Sequence, residues 1–168
     1  GGDDIIYGYG GGDRINGGTG NDYIDGGDNG VDPEYGFIMK DEAIYEGSAR
    51  NYTIETYVVG TDDTALDSLI SKNFGTSLDT IKAGWAANEK IVVVTDELPT
   101  SMGGTGVDIL RNVEFVSFQD KFVALSVEEF IETDGSSSRA FVDGTDSPDV
   151  IGSATAQYDY SGNDDLRG

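Results

Sequence analysis

The chain has 168 residues, room for one domain or two small ones, and its 32 acidic against 10 basic side chains give a formal net charge of -22. That charge repels phosphates and so argues against nucleic acid or an anionic membrane surface as a partner. With no cysteine and no histidine, the chain lacks disulfides, thiolate nucleophiles, the usual zinc or iron–sulfur ligation, and Ser-His or Cys-His catalysis. Metal chemistry then falls to carboxylate, amide and carbonyl oxygens, which suit hard cations such as Ca²⁺ or Mg²⁺. No apolar run approaches the length of a transmembrane helix, and no signal peptide is visible. The chain starts on Gly1 and stops within the pattern "GNDDLRG", so it is expected to be a piece of a longer protein.

Residues 1–35 hold 12 of the 25 glycines, with eight acids against one arginine. Written in nines they read "GGDDIIY", "GYGGGDRIN", "GGTGNDYID" and "GGDNGVDPE". Asp4, Asp13 and Asp22 recur in phase, with Ile6, Ile15 and Ile24 two places later and Gly2, Gly11 and Gly20 two places earlier. In the fourth unit Val31 stands where Asp is expected, and Asp32 comes one place late.

A loop that turns within six residues needs glycine, which also leaves backbone carbonyls open to a ligand. If two nines make one coil, residues eighteen apart stack, so Asp4 faces Asp22 and Asp13 lies on the other side. Carboxylates that close repel unless a cation lies between them, and calcium accepts six to eight oxygens in flexible geometry. The candidate ligands are Asp4, Asp13, Asp22 and Asp32, with the backbone of Gly2, Gly8, Gly10, Gly11, Gly17, Gly18 and Gly20. The internal ladder is expected to be thin, Ile6 on Ile24 and Ile15 with Val31. So little apolar area does not offset roughly 1–2 kcal/mol of backbone entropy per residue, so metal binding is expected to supply the remainder.

Residues 36–140 read as a β-rich globular module. "NYTIETYVV" (51–59) and "KIVVVTDE" (90–97) predict strands, and "VEFVSFQDKFVALS" (113–126) predicts two strands joined at Gln119-Asp120-Lys121, with Val113, Phe115, Phe118, Phe122 and Leu125 as core. "DTALDSLISKNFG" (63–75) predicts a helix with Leu66, Leu69, Ile70 and Phe74 on one stripe, stopped by Gly75. "SVEEFIET" (126–133) reads as a second short helix, and Trp85 as a packing residue. "GGTGVDIL" (103–110) imitates the nonapeptide with Asp108 in phase, but as a lone copy it reads as a turn leading into a strand. Residues 141–168 return to two looser copies, "GTDSPDVIG" and "SGNDDLRG", whose Asp149 and Asp164 are further candidate metal ligands, fifteen rather than eighteen residues apart. The two end blocks suit one roll or two.

The repeat resembles the RTX, or haemolysin-type calcium-binding, nonapeptide G-G-x-G-x-D-x-U-x, where U is a large apolar residue. "GGTGNDYID" matches every defined position. The resemblance implies a mainly β fold: parallel β-roll segments at both ends, flanking the compact β-rich module with its one or two short helices. The middle string also resembles a module that recurs between RTX repeats in secreted bacterial proteins, keeping Gly47, Tyr52, Ile54, Asp96, Asp108, Leu110, Val113, Glu114, Phe118 and Asp120, with an insertion at about 60–89. The resemblance implies a non-enzymatic, calcium-folded segment of a large extracellular protein exported by type I secretion. Two alternatives stand beside it. The middle module, with its Tyr-rich strands and Trp85, could bind carbohydrate, a cell surface or another copy of the chain. The Asp32-Pro33 bond is also of the kind that calcium-triggered autoprocessing cleaves, although the same pair suits a plain turn that ends the repeats.

Overall fold

The computed structural model describes residues 1–99 and 104–125, together with the backbone of two further short strands. Among these residues the protein is mainly β. In chain order the elements are β1 (Ile5–Tyr7), β2 (Gly10–Gly11), β3 (Arg14–Ile15), β4 (Tyr23–Asp25), β5 (Asp28–Asn29), β6 (Glu42–Ile44), β7 (Tyr52–Val58), α1 (Asp63–Asn73), α2 (Asp79–Lys82), β8 (Lys90–Asp96), β9 (Val107–Arg111), β10 (Phe115–Ser117) and β11 (Phe122–Ala124). The two further strands, β12 (Glu129–Ile131) and β13 (Ser138–Ala140), pair antiparallel. No helix among the described residues is long and apolar enough to cross a membrane.

The glycine-rich units pair at the expected spacing. β1 runs parallel to β4 with Ile5, Ile6 and Tyr7 opposite Tyr23, Ile24 and Asp25, and β2 runs parallel to β5 with Gly10 opposite Asp28. Both offsets are eighteen residues. The pairing does not stop at residue 35. β4 continues in parallel onto β9, Ile24 facing Leu110, and β9 continues antiparallel onto β8 and then β7, giving the five-stranded order β1-β4-β9-β8-β7. Opposite it lies the sheet β11-β10-β6-β3, in which β3, β6 and β10 are parallel.

Here Ile15 faces Ala43, an offset of 28. The ten extra residues are an excursion over 31–40, closed by the Val31–Ile38 bridge and a Met39 N–H to Gly30 carbonyl bond of 2.8 Å. Val31, expected to pack on Ile15, is instead 60 % exposed on that excursion. With the excursion left out, the fourth unit reads "GGDNG" followed by "DEAI", and Asp41 falls in phase.

Strand alternation sorts the side chains into two cores. Between the sheets lie Ile24, Leu110, Val92 and Val94 from one, and Ala43, Val116 and Phe118 from the other, with Ile6 and Ile15 half-buried at the end. The ladder expected to be thin therefore continues into the middle of the chain. On the outer face Tyr23, Ile109, Ile91 and Val93 receive Leu66, Ile70 and Phe74 of α1, with Leu78 and Trp85. The helix forms as its stripe predicts, and Gly75 ends it at a φ of +59°. Trp85 stacks on Tyr23 with ring centroids 6.3 Å apart and is buried, which removes it from any binding surface.

Two further expectations fail. Residues 129–131, read as part of a helix, form a strand, because Phe130 and Ile131 suit a pleated pairing and find a partner in β13. The second short helix is Asp79–Lys82 instead. Phe122, read as core, is 48 % exposed on the outermost strand of its sheet, against Phe115.

Since Trp85 closes the outer core, Trp85→Ala is expected to cost about 3–5 kcal/mol in urea unfolding, and a loss below about 1 kcal/mol would contradict this packing role.

Candidate functional site

The parallel register stacks acids in two columns. In the first, the Asp4 N–H donates to Asp22 Oδ1 at 2.8 Å, and the Asp22 N–H donates to Asp108 Oδ1 at 2.9 Å. In the second, the Asp13 N–H donates to Asp41 Oδ1 at 2.7 Å, and the Asp41 N–H to Glu114 Oε2 at 2.9 Å. Each carboxylate thus gives one oxygen to the backbone of the preceding rung. The other oxygen is the informative one. Asp13 Oδ2, Asp22 Oδ2 and Asp41 Oδ2 are buried and accept no hydrogen bond. A buried carboxylate oxygen without a partner is costly, so it marks a place where a cation, a proton or water belongs.

Glycine shapes the space around these oxygens. A Cβ on Gly17 would overlap Asp22 Oδ2, and one on Gly8 would lie 2.8 Å from Asp13 Oδ2 and 2.5 Å from the Gly26 carbonyl oxygen. The first glycine of a unit is therefore required by the close approach of its own unit's aspartate. Gly2, Gly20 and Gly106 are neighbours in a further column, in which the Gly20 N–H donates to the Thr105 carbonyl at 2.7 Å and the Gly2 N–H to the Thr19 carbonyl at 2.6 Å. Gly10 and Gly11 pair with Asp28 and Asn29, and the Gly18 N–H is taken by Asn16 Oδ1.

Asp32 lies apart from both columns. Its Oδ1 accepts the N–H groups of Glu34 and Tyr35 at 2.9 and 2.7 Å, an Asx-type turn at the start of the excursion, and Asp41 takes the rung opposite Asp13. Asp149 and Asp164 lie outside the described residues. Asp108, read as a turn residue, and Glu114 and Asp41, which the repeat pattern did not select, complete the columns. The signal for Asp108 was present in "GGTGVDIL", whereas Asp41 is visible only once residues 31–40 are excised.

The electrostatics follow burial. Asp22 and Asp41, fully buried, are pushed above the usual carboxylate range by desolvation and by neighbouring acids. Asp108 is raised to about 7, chiefly by burial, and the Tyr45 hydroxyl lies near it without a well-formed hydrogen bond. Tyr45 follows Ala43 by two places as Gly17 follows Ile15, so a tyrosine ring stands where the neighbouring coil has a glycine.

Other acids are satisfied in ordinary ways. Asp25 is held by Arg111 at 3.1 Å and by Asn112 Nδ2 at 2.9 Å, and Arg111 also reaches Glu89 at 2.5 Å. Asp96 accepts the Leu98 and Thr105 N–H groups, each at 2.9 Å. Asp120 takes the Ser48 hydroxyl and the Ala49 N–H. Among the described residues no group of three or more acidic side chains converges on one point. A cation here would therefore need backbone carbonyls as most of its ligands. Calcium accepts such a set, and the carbonyl oxygens of Gly26 and Asn112 lie close beside Gly8 and Gly26.

Compared with known proteins, the chain matches no family model, no curated protein and no solved structure.

The raised carboxyls make stability depend on pH. Between 3.8 and about 7 the folded protein holds a proton on Asp108 that the unfolded chain has lost. Stability without metal is therefore expected to fall as pH rises through that window and to level off above it, with Asp22 and Asp41 acting in the same direction. Urea midpoints in chelator at pH 5 and pH 7.5 measure the drop. It should shrink in Asp108→Asn, and an equal drop in variant and parent would contradict the assignment.

Proposed function

We propose that this chain is a calcium-binding structural segment of an extracellular RTX-type protein, a parallel β-roll whose coils continue into a β-rich module, without a catalytic role. The observation that carries the reading is the set of buried, unpartnered oxygens on Asp13, Asp22 and Asp41, lying in register beside glycines. The eighteen-residue offset of β1 on β4 and of β2 on β5 supports a roll with two nonapeptides per coil. The full consensus at "GGTGNDYID" supports the family. Fully ionised, the acids repel one another, and bound calcium offsets that repulsion. An extracellular setting supplies the calcium levels such oxygen sites need, on the order of 10⁻⁴–10⁻³ M. In that reading export precedes folding, by type I secretion, and arrival in calcium completes the columns.

A second reading, contact with carbohydrate, a surface or another copy of the chain, draws on the exposed aromatics Tyr9, Tyr35 and Phe37. Its test is glycan-array or surface binding that Tyr35→Ala abolishes. Autoprocessing at Asp32-Pro33 has less support, because the Asp32 carboxylate is engaged by two backbone N–H groups.

Calorimetric titration of the chain with CaCl₂ is expected to give saturable heat. Thermal unfolding should move up with calcium and back with EGTA, by about 2.7 kcal/mol per site at a hundredfold excess over Kd. Mg²⁺ should do less, because it keeps its water and demands octahedral geometry. Asp22→Asn should weaken the response. An absence of heat together with identical melts in calcium and chelator would refute the reading.

A further inference from the structure

The repeat block is not held uniformly. None of residues 1–21 is buried, whereas Asp22, Tyr23, Ile24, Asp25 and Gly26 all are. The boundary falls inside the nonapeptide "GGTGNDYID", between Asn21 and Asp22, although its pattern runs on without a break.

Past that boundary the strand is gripped by side chains that no repeat supplies. Tyr23 stacks on Trp85, and Ile24 packs with Leu110, Val92 and Val94. Asp25 accepts hydrogen bonds from Arg111 at 3.1 Å and from Asn112 at 2.9 Å. On the side facing β9, the Asp22 N–H donates to Asp108 Oδ1 at 2.9 Å. There too the Ile109 N–H donates to the Asp22 carbonyl at 2.8 Å, and the Gly26 N–H to the Arg111 carbonyl at 3.0 Å.

The preceding residues are attached mostly by backbone. On the other side of β4 the Tyr23 N–H donates to the Asp4 carbonyl at 2.9 Å, and the Gly8 N–H to the Asp25 carbonyl at 2.8 Å. The Asp4 and Asp13 N–H groups reach the carboxylates of Asp22 and Asp41. Ile6 and Ile15 are only half-buried, and Ile5, Tyr7 and Tyr9 are exposed. Nine of these 21 residues are glycine, which loses more conformational freedom on ordering than any other residue. Ordering the stretch therefore costs backbone entropy that little buried apolar area offsets.

We infer that residues 1–21 form a strap that opens and closes on a fixed body, in which β4 stays paired to β9 and packed on Trp85 with or without metal. The inference rests on the calcium reading for what closes the strap, and it narrows that reading: calcium orders the first coil, while Asp22–Gly26 are ordered beforehand. Opening bares the β1 side of β4 and leaves its β9 side intact. The Asp22 carboxylate remains in place as the acceptor onto which the strap docks through the Asp4 N–H.

Amide exchange of the full chain, followed by NMR in EGTA and in calcium, reads the two sides of one strand separately. In EGTA the Asp22 and Gly26 N–H groups, which face β9, are expected to exchange at least about 100-fold more slowly than those of Asp4, Gly8 and Tyr23, which bond across the strap. A smaller ratio, whether both sets are fast or both slow, overturns the inference. Calcium is expected to slow the Asp4, Gly8 and Tyr23 amides toward the rate of Asp22. If it leaves them fast while the contrast in EGTA holds, the strap and body stand and the calcium reading of what closes the strap falls.

Discussion

The structure depends on a backbone N–H reaching the carboxylate of the next rung. Asp4 to Asp22, Asp22 to Asp108, Asp13 to Asp41 and Asp41 to Glu114 are the same interaction in two columns, at 2.7 to 2.9 Å. It is charge-assisted and fixes the parallel register. It also forces acids into the interior, leaving one carboxylate oxygen without a hydrogen-bond partner at each of Asp13, Asp22 and Asp41. The glycines beside those oxygens and the upward shift of the buried carboxyls follow from that geometry. Burial without a counter-charge favours the protonated acid, and a cation would restore the ionised one.

The apolar side of the balance is larger than the repeats alone provide. Ile6 and Ile24 face Leu110 and Val92 in one sheet, while Ile15 and Ala43 face Val116 in the other. Helix α1 and Trp85 then cover the outer face of the first sheet. The glycine-rich strands are thus held between two cores that the middle of the chain supplies. Oil and acid are segregated within a few residues, since Asp22 lies next to Tyr23 and Ile24, all buried. On the proposed reading, metal would settle the acid columns while the apolar cores hold the rest.

Local pattern made much of this legible. The eighteen-residue stacking, helix α1 with its stripe, strands β7, β8, β10 and β11, and the packing role of Trp85 could all be read from period and composition. The misses have physical causes. The 31–40 excursion splits one nonapeptide, so the in-phase carboxylate moved from an expected place near 32 to Asp41, and no linear scan restores it. "GGTGVDIL" is isolated in sequence and so reads as a plain turn, yet its Ile109 meets Tyr23, 86 residues away, in register. Residues 129–131 carried a plausible helical pattern that a hairpin partner overrode. Both sheets take strands from either side of residue 35, where the composition changes.

The central claim is that the unpartnered oxygens of the columns are cation ligands. Crystals grown in calcium and measured near the calcium-sensitive anomalous range address it most directly. The account predicts anomalous peaks about 2.3–2.6 Å from Asp22 Oδ2 and from Asp41 Oδ2, each with carbonyl oxygens completing the shell. Peaks absent from both places, with those oxygens hydrogen-bonded to water or to a proton-bearing neighbour, would contradict it.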